Sequence, residues 1–354
     1  MKLYFISNRI TQPVTGGEKY NQALLEGARA AGIEVEPWEA INLPRVLRTI
    51  PVMNLIHCLK ILKADKNAIL MIDLDFHFRY FVFLRLAKML RKMKIVGVLF
   101  HYNHSYKSDS LKKKIQYLTE RYVSRQCDYL ITLSKFSLQN FIKVAGKEIP
   151  NTILNPYVKN SRDEKPVITE RLPRENRFLL VGNIEYRKNV DTLLIALSDI
   201  NCDFHLDIVG KTVSERYVQD LYRLIRELKL DARVHLNGKV SQEELDRFYS
   251  QSTLFTLVSR MEGFGIVYAE AMRYGLPIIA TKKGAVPEIV EDGQNGILCD
   301  PEDPKGISRA IEKIIGDPAL RQFLAENNRQ KYMSFMDRDT FVGKSKVIFQ
   351  NLNK

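Results

Sequence analysis

Long apolar runs are missing from this chain. No stretch of 18 apolar residues occurs in its 354 positions, which excludes a transmembrane helix. Cysteine is scarce. Cys58, Cys127, Cys202 and Cys299 are scattered, no two have metal-ligand spacing, and their neighbours are mostly apolar. A disulfide framework and a cysteine-based zinc site are therefore excluded, and reduced thiols in a cytoplasmic protein are expected. The opening run Met1–Ser7 is too short, and too soon followed by Arg9, to be a signal peptide. It reads as a first buried strand. No internal repeat occurs. Acidic residues are short in one half only. Residues 1–172 hold 28 Lys plus Arg against 15 Asp plus Glu, whereas the rest hold 26 of each, so the whole net charge of +13 sits in the first half. That asymmetry suggests that one domain faces something anionic.

What is present fits a two-domain α/β protein. The length exceeds one ordinary core, and 45% apolar residues is usual for a soluble globular chain. Short apolar runs alternate with helical patterns, as in doubly wound folds. The first-half strand candidates are Leu3–Ile6, Ile69–Ile72, Ile95–Phe100, Tyr129–Thr132 and Asn151–Leu154. Residues 18–31 predict a helix before Gly32. The second-half strands are Phe178–Val181, His205–Val209, Val234–Leu236, Leu254–Val258 and Ile278–Ala280, with helices Val190–Leu197, Glu215–Leu228 and Gln242–Ser250. Ser241 and Glu244 form a capping box for the last of these. The charged segment Lys159–Asn176, with Pro166 and Pro173, is the interdomain linker candidate. The expected domains are residues 1–165, residues 166–336, and a C-terminal helix within 337–354.

The most informative stretch is Glu262-Gly263-Phe264-Gly265-Ile266-Val267-Tyr268-Ala269-Glu270. A strand delivers a glycine turn into a helix N-terminus. Free backbone N–H groups and the helix dipole there favour an anion. The two carboxylates cannot hold phosphate, but they can accept hydrogen bonds from hydroxyls. With Gly265 opening the helix, Glu262 lies at its mouth and Glu270 in its second turn, and the eight positions between them span roughly 12 Å at helical rise. Phosphate between hydroxyl-rich ends describes a nucleotide-sugar.

The blocks Ser259–Gly265, Glu270-Ala271-Met272, Gly275–Ala280, Gly284–Val290 and Asp292–Gly296 resemble the signature of family 4 retaining glycosyltransferases (group 1 type). The resemblance is dense over about residues 178–325 and weaker over the first half. It implies the GT-B fold: two Rossmann-like domains facing across a cleft, the first binding acceptor and the second donor, with a final helix, Asp337–Asn351, crossing back. It also implies roles for particular residues. Glu262 holds sugar hydroxyls, amides of Gly263, Phe264 and Gly265 hold phosphate and sugar, and Glu270 binds ribose. Lys188 matches the family lysine that stabilises the leaving diphosphate. The commonest pattern has arginine where this chain has Asn183, and the adjacent Arg187 is the candidate to replace that cation.

Further residues follow in the same terms. Gly182, Gly210, Lys211, Lys239 and Val240 end strands and should line the donor side, with Ser259 near the phosphates. Gly16 and Gly17, before a helix starting near Glu18, suit close backbone approach to donor phosphate or acceptor. His101 ends a strand, where α/β sheets bind ligands. The resemblance implies that it lines the reaction centre, with His104 competing for that role. Asp75 is an acceptor-side candidate. No metal and no other cofactor is expected, only the nucleotide-sugar, a UDP- or GDP-sugar, as substrate.

The basic half needs a partner. Arg45–Arg48, Leu59–Lys63, Arg79–Lys94 and Lys112-Lys113-Lys114 mix cations with apolar residues. Such stretches suit an anionic membrane surface. No nucleic-acid motif is present, so nucleic acid is not expected as a partner. The expected activity is transfer of a sugar to a lipid-linked or membrane-associated glycan, as in cell-surface polysaccharide or glycolipid synthesis, by a protein peripheral on the inner face of the membrane. A soluble acceptor, or a non-catalytic basic protein binding lipid or nucleic acid, is the alternative.

Overall fold

The computed structural model describes residues 1–7, 15–39, 50–75, 83–102, 110–167 and 176–353. It divides into two compact units, Met1–Arg162 with Met336–Lys354, and Asp163–Phe335.

The first unit is a six-stranded sheet: β1 (Lys2–Ser7), β2 (Glu34–Glu39), β3 (Ile69–Asp73), β4 (Lys94–Leu99), β5 (Tyr129–Thr132) and β6 (Asn151–Ile153). Every pairing is parallel, in the order β2-β1-β3-β4-β5-β6. All five residues of β3 are buried, as the apolar run Ile69–Ile72 predicts for a strand covered on both faces. Strand β2 is not legible in that way. It alternates charge, carries Pro37, and lies at the sheet edge, where a missing N–H is tolerated. Lys2 Nζ pairs with Glu36 at 2.9 Å and Glu34 at 3.2 Å, which fixes its register.

Helix α1 (Gly16–Ala30) follows β1. Helices α2 (Ile50–Lys63), α3 (Phe83–Arg91), α4 (Ser110–Gln126) and α5 (Lys135–Ala145) join successive strands from β2 to β6. Those last connections all step the same way across the sheet, so right-handed crossovers put α2 to α5 on one face and α1 on the other.

The second unit repeats the plan with β7 (Arg177–Val181), β8 (His205–Val209), β9 (Val234–Gly238), β10 (Leu254–Leu257), β11 (Ile278–Thr281) and β12 (Gly296–Cys299), ordered β12-β11-β10-β7-β8-β9. Its helices are α6 (Val190–Ser198), α7 (Glu215–Glu227), α8 (Gln242–Gln251), α9 (Ile266–Arg273), α10 (Pro304–Gly316) and α11 (Pro318–Met333). The Ser241–Glu244 capping box is formed in both directions. The block Asp292–Gly296 builds the turn into β12: Asp292 Oδ1 accepts the Leu298 N–H, and Asn295 Oδ1 accepts that of Glu291.

Helix α12 (Arg338–Leu352) lies in the first unit, capped by Asp337. It packs along α1. Arg338 Nη2 donates to Glu26 Oε1 at 2.6 Å, and the Tyr20 and Phe341 rings meet edge-on at 4.9 Å. Of the expected linker, residues 168–175 lie outside the described residues.

Candidate functional site

The strand order fixes where ligands can be held. In the second unit the chain runs β7 to β9 outward, then returns to place β10 on the other side of β7. The C-terminal ends of β7 and β10 thus form a topological switch point, where open α/β sheets bind ligands. The loop after β7 carries Gly182 to Asn189, and the loop after β10 carries Val258 to Gly265.

These two loops meet through charge. The Lys188 ammonium donates to Glu262 Oε2 at 2.8 Å, and Arg187 Nη1 donates to the same oxygen at 3.2 Å. Arg187 also reaches the Met261 carbonyl at 3.0 Å and Glu185 at 2.8 Å. Lys188 and Glu262 are 6% and 8% exposed. Burial lowers the Lys188 pKa below its ordinary value, the Arg187 charge acts the same way, and Glu262 opposes both. The sequence reads these residues as two separate motifs; folding makes them one cluster.

A frame of polar groups, mostly part-buried, holds the cluster in place. Arg260 forks onto Asp191 (3.1 and 2.6 Å), lies over the Tyr186 ring at 3.9 Å, and donates to the Tyr186 carbonyl. Tyr217 adds a 2.6 Å hydrogen bond to Asp191. The Asn189 side-chain amide donates to the carbonyls of Val258 (2.9 Å) and Pro301 (2.7 Å), joining three loops. Nothing local in the sequence marks Arg260, Asp191 and Asn189 as parts of one frame. The only available signal was the fork-forming pair of an arginine beside one motif and an aspartate beside the other.

Gly265 caps α9 with φ +89°, and a Cβ there would lie 2.5 Å from the Tyr268 ring. Gly284, at φ +74°, passes against the Glu262 carbonyl, which accepts the Ala285 N–H at 2.9 Å. The second contact explains why the Gly284–Val290 block accompanies the Glu262 block: it backs the carboxylate's main chain. Helix α9 has neither a side-chain cap nor an acidic residue in its first turn, so its N-terminal end is suited to an anion. Gly263, Phe264 and Gly265 are buried at that end.

Glu270 lies in α9 and accepts the Tyr249 hydroxyl at Oε2, 2.9 Å away. Tyr249 is 1% exposed and stacks on Tyr274 at 5.2 Å. Around the rim, the Gly182 N–H donates to Val209 and that of Gly210 to Gly238. A Cβ on Gly182 would press on the Lys188 stem at 2.9 Å. Lys211 and Lys239 are exposed beyond this rim, and Val240 is half-buried. Ser259 is different. Its side chain is fully covered and its hydroxyl has no hydrogen-bond partner among the described residues.

The first unit has its own switch point, between β1 and β3. Asp73, 4% exposed, ends β3 there. It accepts the Asn21 amide at 3.2 Å and the Asp75 N–H at 3.1 Å. Burial pushes its carboxyl up to about 7 against these bonds and one from Ser7. Asp75 Oδ2 lies 3.7 Å from His101 Nδ1, an ion-pair distance when the imidazole is protonated, and its Oδ1 is 3.5 Å from the His101 N–H. Asp75 and His101 are thus brought together, through Asp73, onto α1. Asp73 is the group that sequence reading passed over in favour of Asp75. His104 lies outside the described residues.

Gly16 and Gly17 call for a correction. They open α1 instead of preceding it, because Thr15 and Glu18 form a capping box that sets the helix start two residues earlier. Gly17 gives Phe100 room, since a Cβ would lie 3.3 Å from its ring. Among the described residues, no three His, Cys, Asp or Glu side chains are grouped so that they could hold a metal ion. No helix among them is long and apolar enough to cross a membrane.

Residues 161–331 match the family described as glycosyl transferases group 1. That part of the chain is similar to the group 1 glycosyl transferases. A curated relative, an uncharacterized glycosyltransferase of Methanocaldococcus jannaschii, is 30% identical over 237 residues, covering 62% of this chain and 65% of its own. The chain spans between about two fifths and two thirds of the length of the curated relatives it matches. Among solved structures, sucrose-phosphate synthase of Thermosynechococcus elongatus superposes with a TM-score of 0.82 at 19% identity over 99% of both chains. HepE of Anabaena, solved with UDP-glucose, superposes at 0.75 with 18% identity, over 99% of this chain and 100% of its own. The fold is that of the GT-B glycosyltransferases.

Proposed function

We propose that this protein is a group 1 glycosyltransferase that moves a sugar, with retention of anomeric configuration, from a UDP- or GDP-sugar to a lipid-linked or membrane-associated glycan. The observation that carries the reading is the pair of cations, Arg187 and Lys188, held on Glu262 at the mouth of an α9 that has no acidic first turn. Transfer leaves negative charge on the β-phosphate, and two fixed cations beside a helix N-terminus oppose it. Arg187 offers a planar fork and Lys188 a point charge.

In this reading the donor diphosphate takes the cations from Glu262, whose carboxylate turns to the sugar hydroxyls. Amides at Gly263–Gly265 complete the anion site, with Gly182 and Gly210 leaving room beside it. Glu270, held by Tyr249, takes the ribose hydroxyls. Backbone groups near Lys211, Lys239 and Val240 meet the base. His101, steadied by Asp75, lines the sugar, and the leaving phosphate accepts the acceptor proton. The second unit is the donor domain and the first the acceptor domain. The protein acts from the cytoplasmic side as a peripheral enzyme. Support comes from the matched family and from the UDP-glucose bound by a protein of the same fold.

A thermal-shift screen against nucleoside diphosphates and their sugars tests the donor half. One base should raise the melting temperature by mass action, and the matching sugar should raise it further. The absence of any shift, together with no release of nucleoside diphosphate from any donor, would sink the reading.

A further inference from the structure

The helices α2, α3 and α4 pack side by side on one face of the first sheet. Their outward residues share an unusual chemistry. Leu59 and Leu62 on α2, Met89 and Leu90 on α3, and Ile115 and Leu118 on α4 are between 46% and 67% exposed. Soluble proteins seldom gather large apolar side chains on one open face. Lys63, Lys92, Lys113 and Lys114 are exposed among or just beyond them. The only acidic residue in the three helices is Glu120, and it is buried, hydrogen-bonded to Gln116 at 3.2 Å. The three helices therefore offer apolar side chains and positive charge with no exposed carboxylate of their own, while Asp65 just past α2 and Asp128, paired with Lys88 at 2.7 Å, are exposed at their ends.

We propose that this α2–α3–α4 face docks on an anionic lipid bilayer. The proposal deepens the reading above and rests on it for its purpose, since it names the surface that brings the first unit to a membrane-held acceptor. Leucine and methionine side chains enter the acyl boundary while lysines meet the headgroup phosphates. The charge argues against the other occupants. A second copy presenting the same face would set like charges against each other. A nucleic acid would satisfy the lysines and leave six large apolar residues without a use.

The test is co-sedimentation of the full chain with phosphatidylcholine vesicles, with and without phosphatidylglycerol. Binding should need the anionic lipid and weaken as salt rises. The combined Leu59→Glu, Met89→Glu and Ile115→Glu variant should bind at least tenfold more weakly. Lys63→Gln with Lys113→Gln and Lys114→Gln should lose about fivefold per lysine. These positions are exposed, and an unchanged melting temperature would show that the fold is intact. Wild-type protein left in the supernatant with anionic vesicles at low salt would overturn the proposal. So would glutamate variants that bind like the wild type, or a concentration-dependent dimer that those variants dissolve while vesicle binding stays the same. Stabilisation by UDP or GDP separates the two readings. Its survival without vesicle binding ends the docking proposal alone, whereas vesicle binding without it ends the donor assignment alone.

Discussion

Lys188 and Glu262 share a 2.8 Å ion pair although 74 positions separate them, and each is almost covered. A buried lysine is stable only with its counter-charge, so the pair ties the loop after β7 to the loop after β10. Replacing Lys188 by alanine should lower turnover by about 10²–10³-fold, the usual loss for one preorganised electrostatic group. Arg187 still reaches Glu262 in that variant, so the protein should remain folded by circular dichroism. Turnover within a few fold of wild type, read as nucleoside diphosphate release, would remove Lys188 from the site.

Tyr249 predicts an effect on binding with little effect on chemistry. Its hydroxyl fixes one oxygen of Glu270 from a buried position. Tyr249→Phe deletes one hydrogen bond, so nucleotide affinity should fall about two- to tenfold, with kcat little changed. Calorimetry with the preferred nucleoside diphosphate measures this. Unaltered affinity would mean that Glu270 does not depend on Tyr249.

Gly284 predicts coupling between a turn and the carboxylate loop. A methyl group there would run into the Glu262 carbonyl, and its φ is +74°. Gly284→Ala should destabilise by at least the roughly 1–2 kcal/mol of a left-handed residue and should weaken nucleotide binding as Glu262 shifts. Urea titration and thermal shift read the two effects separately. Wild-type values in both would contradict the close approach.

Asp73 sets a pH dependence of stability. Its folded pKa, about 7, lies above the ordinary 3.8, so the fold favours the protonated form. Its contribution is full below about pH 4, declines as pH rises toward 7, and is flat above that. Relative to Asp73→Asn, the wild type should lose unfolding free energy between pH 4 and 7, and the two curves should run parallel above it. Urea unfolding across that range checks the sign. Parallel curves throughout would show that Asp73 is not held protonated.

How much of this was readable depends on what each feature rests on. Strands such as β3 and β10 are apolar because parallel sheets bury both faces, so composition reveals them. Strand β2 is an edge with charged residues and a proline, and nothing local marks it. The α1 start is hard to read because the paired glycines hide the boundary that Thr15 and Glu18 set. The individual motifs around Glu262, Arg187 and Lys188 stand out in the chain. Their contact does not, because it exists only once β10 lies beside β7. The bonds from Asn21 and Asp75 to Asp73 are likewise products of strand order.

Helix α12 belongs to the first unit although the whole second unit precedes it in the chain. At about 5–20 residues per second of synthesis, the α1 surface that meets Phe341 and Arg338 waits many seconds for its cover. The unit that begins first is therefore the last to be completed. A cut after Arg162 would release an unfinished layer, not a separate domain.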